Sequence, residues 1–581
     1  MRENLRILWP YLRRYRRSLM LGGGALVIKD VMAAALPLFI GRGVDSMRGG
    51  AFRLETVLWF SAAIVGLSVL KGFFQYWMRV ILIGVSRDVE FDLRNDFFRH
   101  LTGLSSDFYG RMRTGDIMAR ATNDLNAVRM MVGPGVMYSV ETTCMVLFAV
   151  SIMLSVDWPL TLLSLAPAPL ISLIVSYFGR KIHARFDQIQ AMFSDISSRA
   201  QENIAGVRVV RAYVQEEAEQ RQFETLNREY VGQNIRLARL SGAFMPTLQA
   251  LVGVTLLIVL WVGGTRLLAG RITLGQFVMF NTYLLMLVWP MVAFGWVVNL
   301  AQRGTASLAR INAIMKEKPS IAEPAAAPQN RGPLRGEIEF RDAVVEYSTG
   351  RVVDEVDLRI PAGATVAIVG HTGSGKTTLV QLIPRVLDPT SGSVLVDGTD
   401  VRDHSLADLR RQIGFVPQET MLFSATLAEN IAFGAEHASR DEIRRAANLA
   451  GLGPDIESFP DGLDTVIGER GITLSGGQKQ RAAIARAILR DPRILILDDA
   501  LSSVDTVTEE RILSGLAALM RGRTTILISH RVSTVRNADR IFVVEKGKIA
   551  ERGAHSELLA LGGYYADLHQ RQLLEEELEA I

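Results

Sequence analysis

Residues 364–378, ATVAIVGHTGSGKTT, decide how the C-terminal half of the chain folds. An apolar run with the pattern of a buried strand leads into Gly370, Gly373, Gly375, Lys376 and Thr377 in the order GxxxxGK[ST], and a helical stretch follows. Glycines let successive backbone N–H groups turn inward around phosphates, and the helix N-terminus adds the positive end of its dipole. This phosphate loop, with Thr372, Ser374 and Thr378 completing the cradle, predicts nucleotide binding. Lys376 is placed to reach the β- and γ-phosphates and Thr377 to hold magnesium. Downstream, ILILDD (494–499) reads as a second buried strand, ending in Asp498 and Asp499 at the carboxyl edge of the same sheet. Asp498 is the expected magnesium partner. Between them, LSGGQ (Leu474–Gln478) precedes KQRAAIARAIL, a Gly-rich loop opening a helix and thus a second anion-binding terminus. One nucleotide does not need two.

The N-terminal half has a different character. The chain has 581 residues and is 49% hydrophobic, and its mean hydropathy is positive, which is too oily for an ordinary soluble protein of that length. Six apolar stretches, 19–41, 56–83, 134–156, 159–178, 243–269 and 274–298, are each about long enough to cross a bilayer as a helix. Arginine is abundant before the first span, in 87–129 and in 180–239, whereas the connections near 45–54, 157–158 and 270–273 are short. That asymmetry predicts cytoplasmic termini, and an even span count delivers the nucleotide domain to the same side, where ATP is available. The cluster Arg13, Arg14, Arg16 and Arg17 leads into the first apolar segment with no small-residue cleavage site, so that segment reads as a retained anchor.

The net charge is +4, but the basic residues are spread through the N-terminal half and form no single stripe, which argues against a nucleic-acid partner. Cys144, the sole cysteine, lies in an apolar run; it excludes an intramolecular disulfide or cysteine metal cluster and predicts a packing role. Val85, Val89, Leu93, Phe97 and Leu101 recur every four residues, so the spans are expected to continue as helices beyond the membrane. The segment 316–336 is rich in Pro and Ala and reads as a linker. From Glu337, β-rich runs alternate with helical ones, the pattern of an α/β domain with a largely parallel core sheet. The predicted organisation is an all-α polytopic membrane domain (1–315), a linker (316–336), an α/β P-loop cassette (337–570) and an acidic tail (571–581).

The order of phosphate loop, LSGGQ, acidic strand and a later SH dipeptide resembles the ATP-binding cassette (ABC) family over nearly the whole chain. With six preceding spans it is similar to bacterial exporter-type half-transporters. The resemblance implies that two cassettes sandwich two ATP molecules with Mg2+, each between one subunit's phosphate loop and the Ser475, Gly476, Gly477 and Gln478 region of the other. It carries Tyr347 to the aromatic that stacks on adenine, Gln418 in FVPQ to the loop sensing the γ-phosphate and reaching the metal, and His530 to the switch histidine. It carries Asp505 in LSSVD to the loop that acts across the dimer, and 108–125 and 201–214 to two coupling-helix regions that rest on the cassettes. One departure stands out. The family usually has Glu after the magnesium-binding aspartate, to activate the attacking water, and this chain has Asp499, one methylene shorter. A misplacement of about 1 Å can slow a step on the order of a hundredfold.

These readings imply ATP-dependent export of an amphipathic or hydrophobic small molecule across the bacterial inner membrane, in a dimer with a non-identical half, among membrane lipids, with this chain's own site the slow one. The alternatives are a homodimeric lipid floppase, an importer on the exporter scaffold, and an ATP-gated regulatory or channel subunit. Within the spans, Lys29, Asp30, Lys71 and Glu141 either line a water-filled translocation cavity or pair between helices. Lys29 and Asp30, being adjacent, are expected to point in different directions.

Overall fold

The computed structural model describes residues 6–47, 54–323, 332–347, 350–435, 437–468 and 474–579. Among the described residues six helices are long and apolar enough to cross a membrane: α1 (Arg16–Met47), α2 (Leu54–Gly103), α3 (Thr114–Val156), α4 (Trp158–Ala205), α5 (Glu216–Leu268) and α6 (Leu274–Met315). The predicted spans fall within them, the fifth ending one residue past α5. Helices α2 to α6 run for 42 to 53 residues, twice what a bilayer needs, so they extend well beyond the hydrocarbon. On the extension of α2, Val85, Val89, Leu93, Phe97 and Leu101 are all buried, as their spacing predicts. The N-terminal helix Leu8–Arg14 meets the same extension: the Tyr11 hydroxyl donates to Asp96 at 2.8 Å and Arg14 pairs with Asp92 at 3.0 Å.

Small residues set the closest helix crossings, as expected where backbones must approach without a hydrophobic drive. A Cβ on Gly275 of α6 would lie 1.9 Å from the Gly41 carbonyl oxygen of α1, and the Gly275 N–H donates to Asp45 Oδ1 at 2.7 Å. Cys144 packs with Phe74, Leu82 and Tyr138 against Ala25, Leu26, Met78 and Met137, the packing role expected of it. Lys29 is buried and its Nζ meets both Asp30 Oδ1 at 2.7 Å and Glu141 Oε1 at 2.5 Å, tying α1 to α3. The expectation that Lys29 and Asp30 diverge is corrected here. The Cβ atoms of neighbours do diverge on a helix, but a four-carbon lysine stem is long enough to fold its ammonium back onto the next residue.

The chain divides into two units, Met1–Gly103 with Met112–Glu317, and Leu104–Arg111 with Lys318–Ile581. The second unit therefore includes the short helix Ser106–Arg111, whose Ser106 hydroxyl donates to the Val386 carbonyl at 3.2 Å. Of the segment read as a linker, 324–331 lies outside the described residues, as do 48–53 of the first connection and 580–581 of the tail. The linker's described ends are fastened. Ser320 donates to Asp107 and Ile321 N–H to Ser105, while the N–H groups of Arg335, Gly336 and Glu337 all donate to Asp397.

The cassette is built on two sheets. An antiparallel sheet has the order β2-β1-β4-β5, with β1 Ile338–Tyr347, β2 Gly350–Ile360, β4 Ser391–Val396 and β5 Thr399–Asp400. A six-stranded sheet has the order β10-β9-β3-β8-β7-β6, with β3 Thr365–Val369, β6 Ile413–Val416, β7 Ile494–Asp498, β8 Thr524–Ile528, β9 Arg540–Glu545 and β10 Lys548–Gly553; only its β9–β10 pair is antiparallel. The parallel core matches the sequence expectation; the separate antiparallel sheet did not announce itself. Strand residues alternate between two cores, Ile494 and Ile496 facing one and Leu495 and Leu497 the other, as the two-residue strand period requires. Helices α7 (Lys376–Gln381), α8 (Gly476–Leu489), α9 (Thr506–Met520) and α10 (Tyr564–Glu579) complete the parts that position the site. The boundary placed at 570 falls inside α10, a continuous helix.

Candidate functional site

Strand order brings the chemistry together. β3, β8 and β7 are neighbours in parallel register, Ile368 opposite Ile528 and Ile528 opposite Asp498, so the loops leaving all three strands open on the same sheet edge. There Val352, Thr372, Gly373, Ser374, Gly375, Lys376, Thr377, Thr378, Gln418, Asp498, Asp499, Ile528 and His530 line one cleft. The glycines are demanded by the backbone: Gly370, Gly373 and Gly375 have φ of 149°, 78° and 103°, and a Cβ on Gly375 would sit 2.4 Å from the Val352 carbonyl oxygen.

Lys376 is buried and donates to the carbonyls of Gly370 and His371, both at 2.8 Å. Burial pulls its pKa down, and the nearby Asp499 and Asp498 oppose that. Asp498 is 1% exposed; its Oδ1 accepts from the Thr377 hydroxyl at 3.2 Å, while Oδ2 is buried with no hydrogen-bond partner among the described residues. Burial pushes its carboxyl up to about 6, reinforced by Asp499 and opposed by Thr377 and Lys376. An orphaned carboxylate oxygen beside a threonine hydroxyl is a hard oxygen donor set that fits Mg2+. Burial and the nearby Lys376 hold His530 below its usual pKa, against Asp499.

Asp499 sits in the left-handed region with φ 49°, its N–H donating to the Ile528 carbonyl at 3.0 Å and its own carbonyl accepting from Ser502 at 2.9 Å. Asp499 lines the cleft and lies near enough to Lys376 for its charge to be felt there.

The LSGGQ region lies elsewhere: none of Ser475, Gly476, Gly477 or Gln478 lines this cleft. Ser475 caps α8, its Oγ accepting from the Gln478 N–H at 3.2 Å while the Gln478 side chain accepts from the Ser475 N–H at 2.9 Å. Glycine is required at 477, where a Cβ would come within 2.9 Å of the Ser503 carbonyl oxygen. Asp505 caps α9 by accepting from the Thr508 N–H at 2.9 Å. Tyr347 ends β1 44% exposed and does not line the cleft.

Some members were not read from the sequence. Val352 and Ile528 line the cleft, and both look like ordinary strand residues in the sequence. Gln480 joins α8 to the turn after β7, donating to Ser502 Oγ at 2.9 Å and accepting from the Ser503 N–H at 3.0 Å; its position two residues beyond LSGGQ was the available signal.

Two family models match the chain: the ABC transporter transmembrane region over residues 19–291, and ABC transporter over 353–502. A Bacillus subtilis (strain 168) protein named probable multidrug resistance ABC transporter ATP-binding/permease protein YheI is 38% identical, over 97% of this chain and 96% of its own length. The multidrug resistance-like ATP-binding protein MdlA of Escherichia coli (strain K12) is 37% identical over 100% of this chain and 98% of its own. An ATP-dependent lipid A-core flippase of Syntrophus aciditrophicus (strain SB) is 37% identical over 90% and 87%. Among solved structures, a bacterial Atm1-family ABC exporter with ATP bound superposes with a TM-score of 0.79 at 27% identity, covering 96% of this chain and 99% of that one. The chain belongs to the ABC transporter family, as a half-transporter of the exporter type with its membrane domain fused to its own ATP-binding cassette.

Proposed function

We propose that this chain is one half of an ATP-driven exporter of an amphipathic or hydrophobic small molecule in a bacterial inner membrane. Both termini and the cassette face the cytoplasm, and the partner is a non-identical half-transporter. In this reading Lys376 and the N–H groups of 372–378 hold the phosphates, Thr377, Asp498 and Gln418 hold Mg2+, Tyr347 stacks on adenine, and His530 senses the γ-phosphate. When bound, Mg2+ would neutralise charge on the phosphates. Asp499 orients the attacking water from a carboxylate one methylene short. ABC exporters work as dimers, and the separation of Ser475–Gln478 from the cleft supports completion of each site by the other chain.

The observation that carries the pairing is Asp499: a short carboxylate makes this site slow, and an intact LSGGQ remains available to a faster partner site. The relatives named for multidrug resistance support an amphipathic substrate. A homodimeric lipid flippase is the second reading, favoured by the 37% identity to a protein named as a lipid A-core flippase. ATP-dependent uptake of fluorescent amphiphiles and labelled lipids into inside-out vesicles separates them. The proposal expects this chain together with its second half to accumulate the amphiphile against its gradient, and Lys376→Ala, which removes ATP from this chain's site, to impair it. Lipid transfer by the lone chain without amphiphile uptake would establish the second reading, and no ATP-dependent movement of either would defeat both.

A further inference from the structure

We propose that Gln572, on the C-terminal helix α10, is a positioning residue for His530. The proposal rests on the reading of His530 as the switch of the ATP site. Helix α10 is firmly seated. The Tyr564 N–H donates to Glu551 Oε1 at 2.5 Å, and Tyr565 is fully buried among Ala367, Val369, Val532 and Val543. Two turns on, the half-buried Gln572 spans the backbone of the switch. Its Nε2 donates to the His530 carbonyl at 2.6 Å, and its Oε1 accepts from the Val532 N–H at 2.8 Å.

Arg531, between those two bonds, is fastened from the other side. Its N–H donates to Ser529 Oγ at 3.0 Å, and its guanidinium donates to the Val504 carbonyl at 2.8 Å and pairs with Glu509 at 2.5 Å. Residues 529–532 are thus clamped between the turn before α9 and the side of α10. The same helix reaches the phosphate loop, where the Tyr564 ring meets His371 edge-on with centroids 4.5 Å apart. One element therefore registers the switch against the loop that cradles the phosphates.

The chemistry of the clamp selects a carboxamide. It must donate to one peptide group and accept from another two residues away, which Gln does with a single planar group. Glutamate keeps the acceptor and sets a charge against the His530 carbonyl oxygen; leucine keeps neither bond. Release of the clamp lets the His530 backbone drift, and about 1 Å of drift at a catalytic group lowers a rate by up to about a hundredfold. ATP affinity, set by the phosphate loop, stays as it is.

The test is single-turnover hydrolysis of γ-labelled ATP by the full chain in lipid vesicles, with protein in excess so that even a slow site is read. Gln572→Leu is expected to slow the step about tenfold or more, Gln572→Glu to fall between it and wild type, and half-saturation by ATP to be unchanged. In a His530→Ala background, Gln572→Leu adds nothing. Three results overturn the proposal while leaving the switch reading intact: His530→Ala impairs hydrolysis but Gln572→Leu does not, Gln572→Leu slows both backgrounds equally, or half-saturation rises with the loss of rate. An unimpaired His530→Ala variant removes the switch reading, and the proposal with it.

Discussion

Asp498 and Asp499 are neighbours with unlike surroundings. Asp498 is buried at the end of β7 with its carboxyl pushed up to about 6, so the folded chain binds a proton there more readily than the unfolded chain does. The sign follows: a raised carboxyl pKa makes the ionised group a burden on folding at neutral pH, relieved as pH falls through 6. Metal competes with that proton. The Mg2+ concentration that half-supports ATP turnover is therefore expected to rise about tenfold per pH unit below 6 and to change little between pH 7 and 8, as a Mg2+ titration at each pH would read. A flat dependence from pH 5 to 7 would count against Asp498 as the metal's partner. Asp499 occupies a left-handed backbone, which aspartate tolerates better than glutamate. Asp499→Glu is expected to gain reach and turnover while losing roughly 1 kcal/mol of stability, visible as a lower thermal midpoint beside a higher rate. The loop glycines, Lys376 and Asp498 were legible because each has a chemical reason to occur at its spacing, whereas His530 was picked out by the family resemblance alone. Gln572 was not, because its partners lie 40 and 42 residues away and a glutamine on an acidic helix has no distinguishing pattern.

At the scale of elements, the six long helices were legible from apolar length alone, and the period-four face of α2 from its spacing. Charges inside the spans were legible as positions but not as partners. Lys29 closes on Asp30 and Glu141 because of lysine reach and the approach of α1 to α3, neither of which one helix's sequence encodes. Removing one member of a buried pair leaves the other charge uncompensated, at about 3–5 kcal/mol. Lys29→Met should accordingly lower the thermal midpoint of the purified protein steeply. Lys29→Met combined with Asp30→Asn and Glu141→Gln should recover most of it, and equal midpoints for the single and triple variants would contradict a paired role. The crossing of α1 and α6 at Gly41 and Gly275 makes a sharper case: Gly275→Leu has no room between two backbones and is expected to abolish stable expression.

At the scale of the whole molecule, each cassette carries a phosphate cleft and a separate LSGGQ helix start, and this division was visible in the sequence as two anion-binding termini for one nucleotide. The antiparallel sheet and the fastened ends of the linker were not visible, since both depend on pairings between distant segments such as the N–H groups of 335–337 with Asp397. The central claim, a half-transporter whose own site is slowed by Asp499, is tested most directly by steady-state ATPase activity in lipid. The lone chain, its Asp499→Glu variant and the complex with a candidate second half are measured side by side. The account predicts a nearly inactive lone chain, a faster Asp499→Glu variant, and an active complex that tolerates Asp499→Asn but not loss of the partner's equivalent carboxylate. Brisk turnover by the lone chain, abolished by Asp499→Asn, would contradict it and establish a working homodimer.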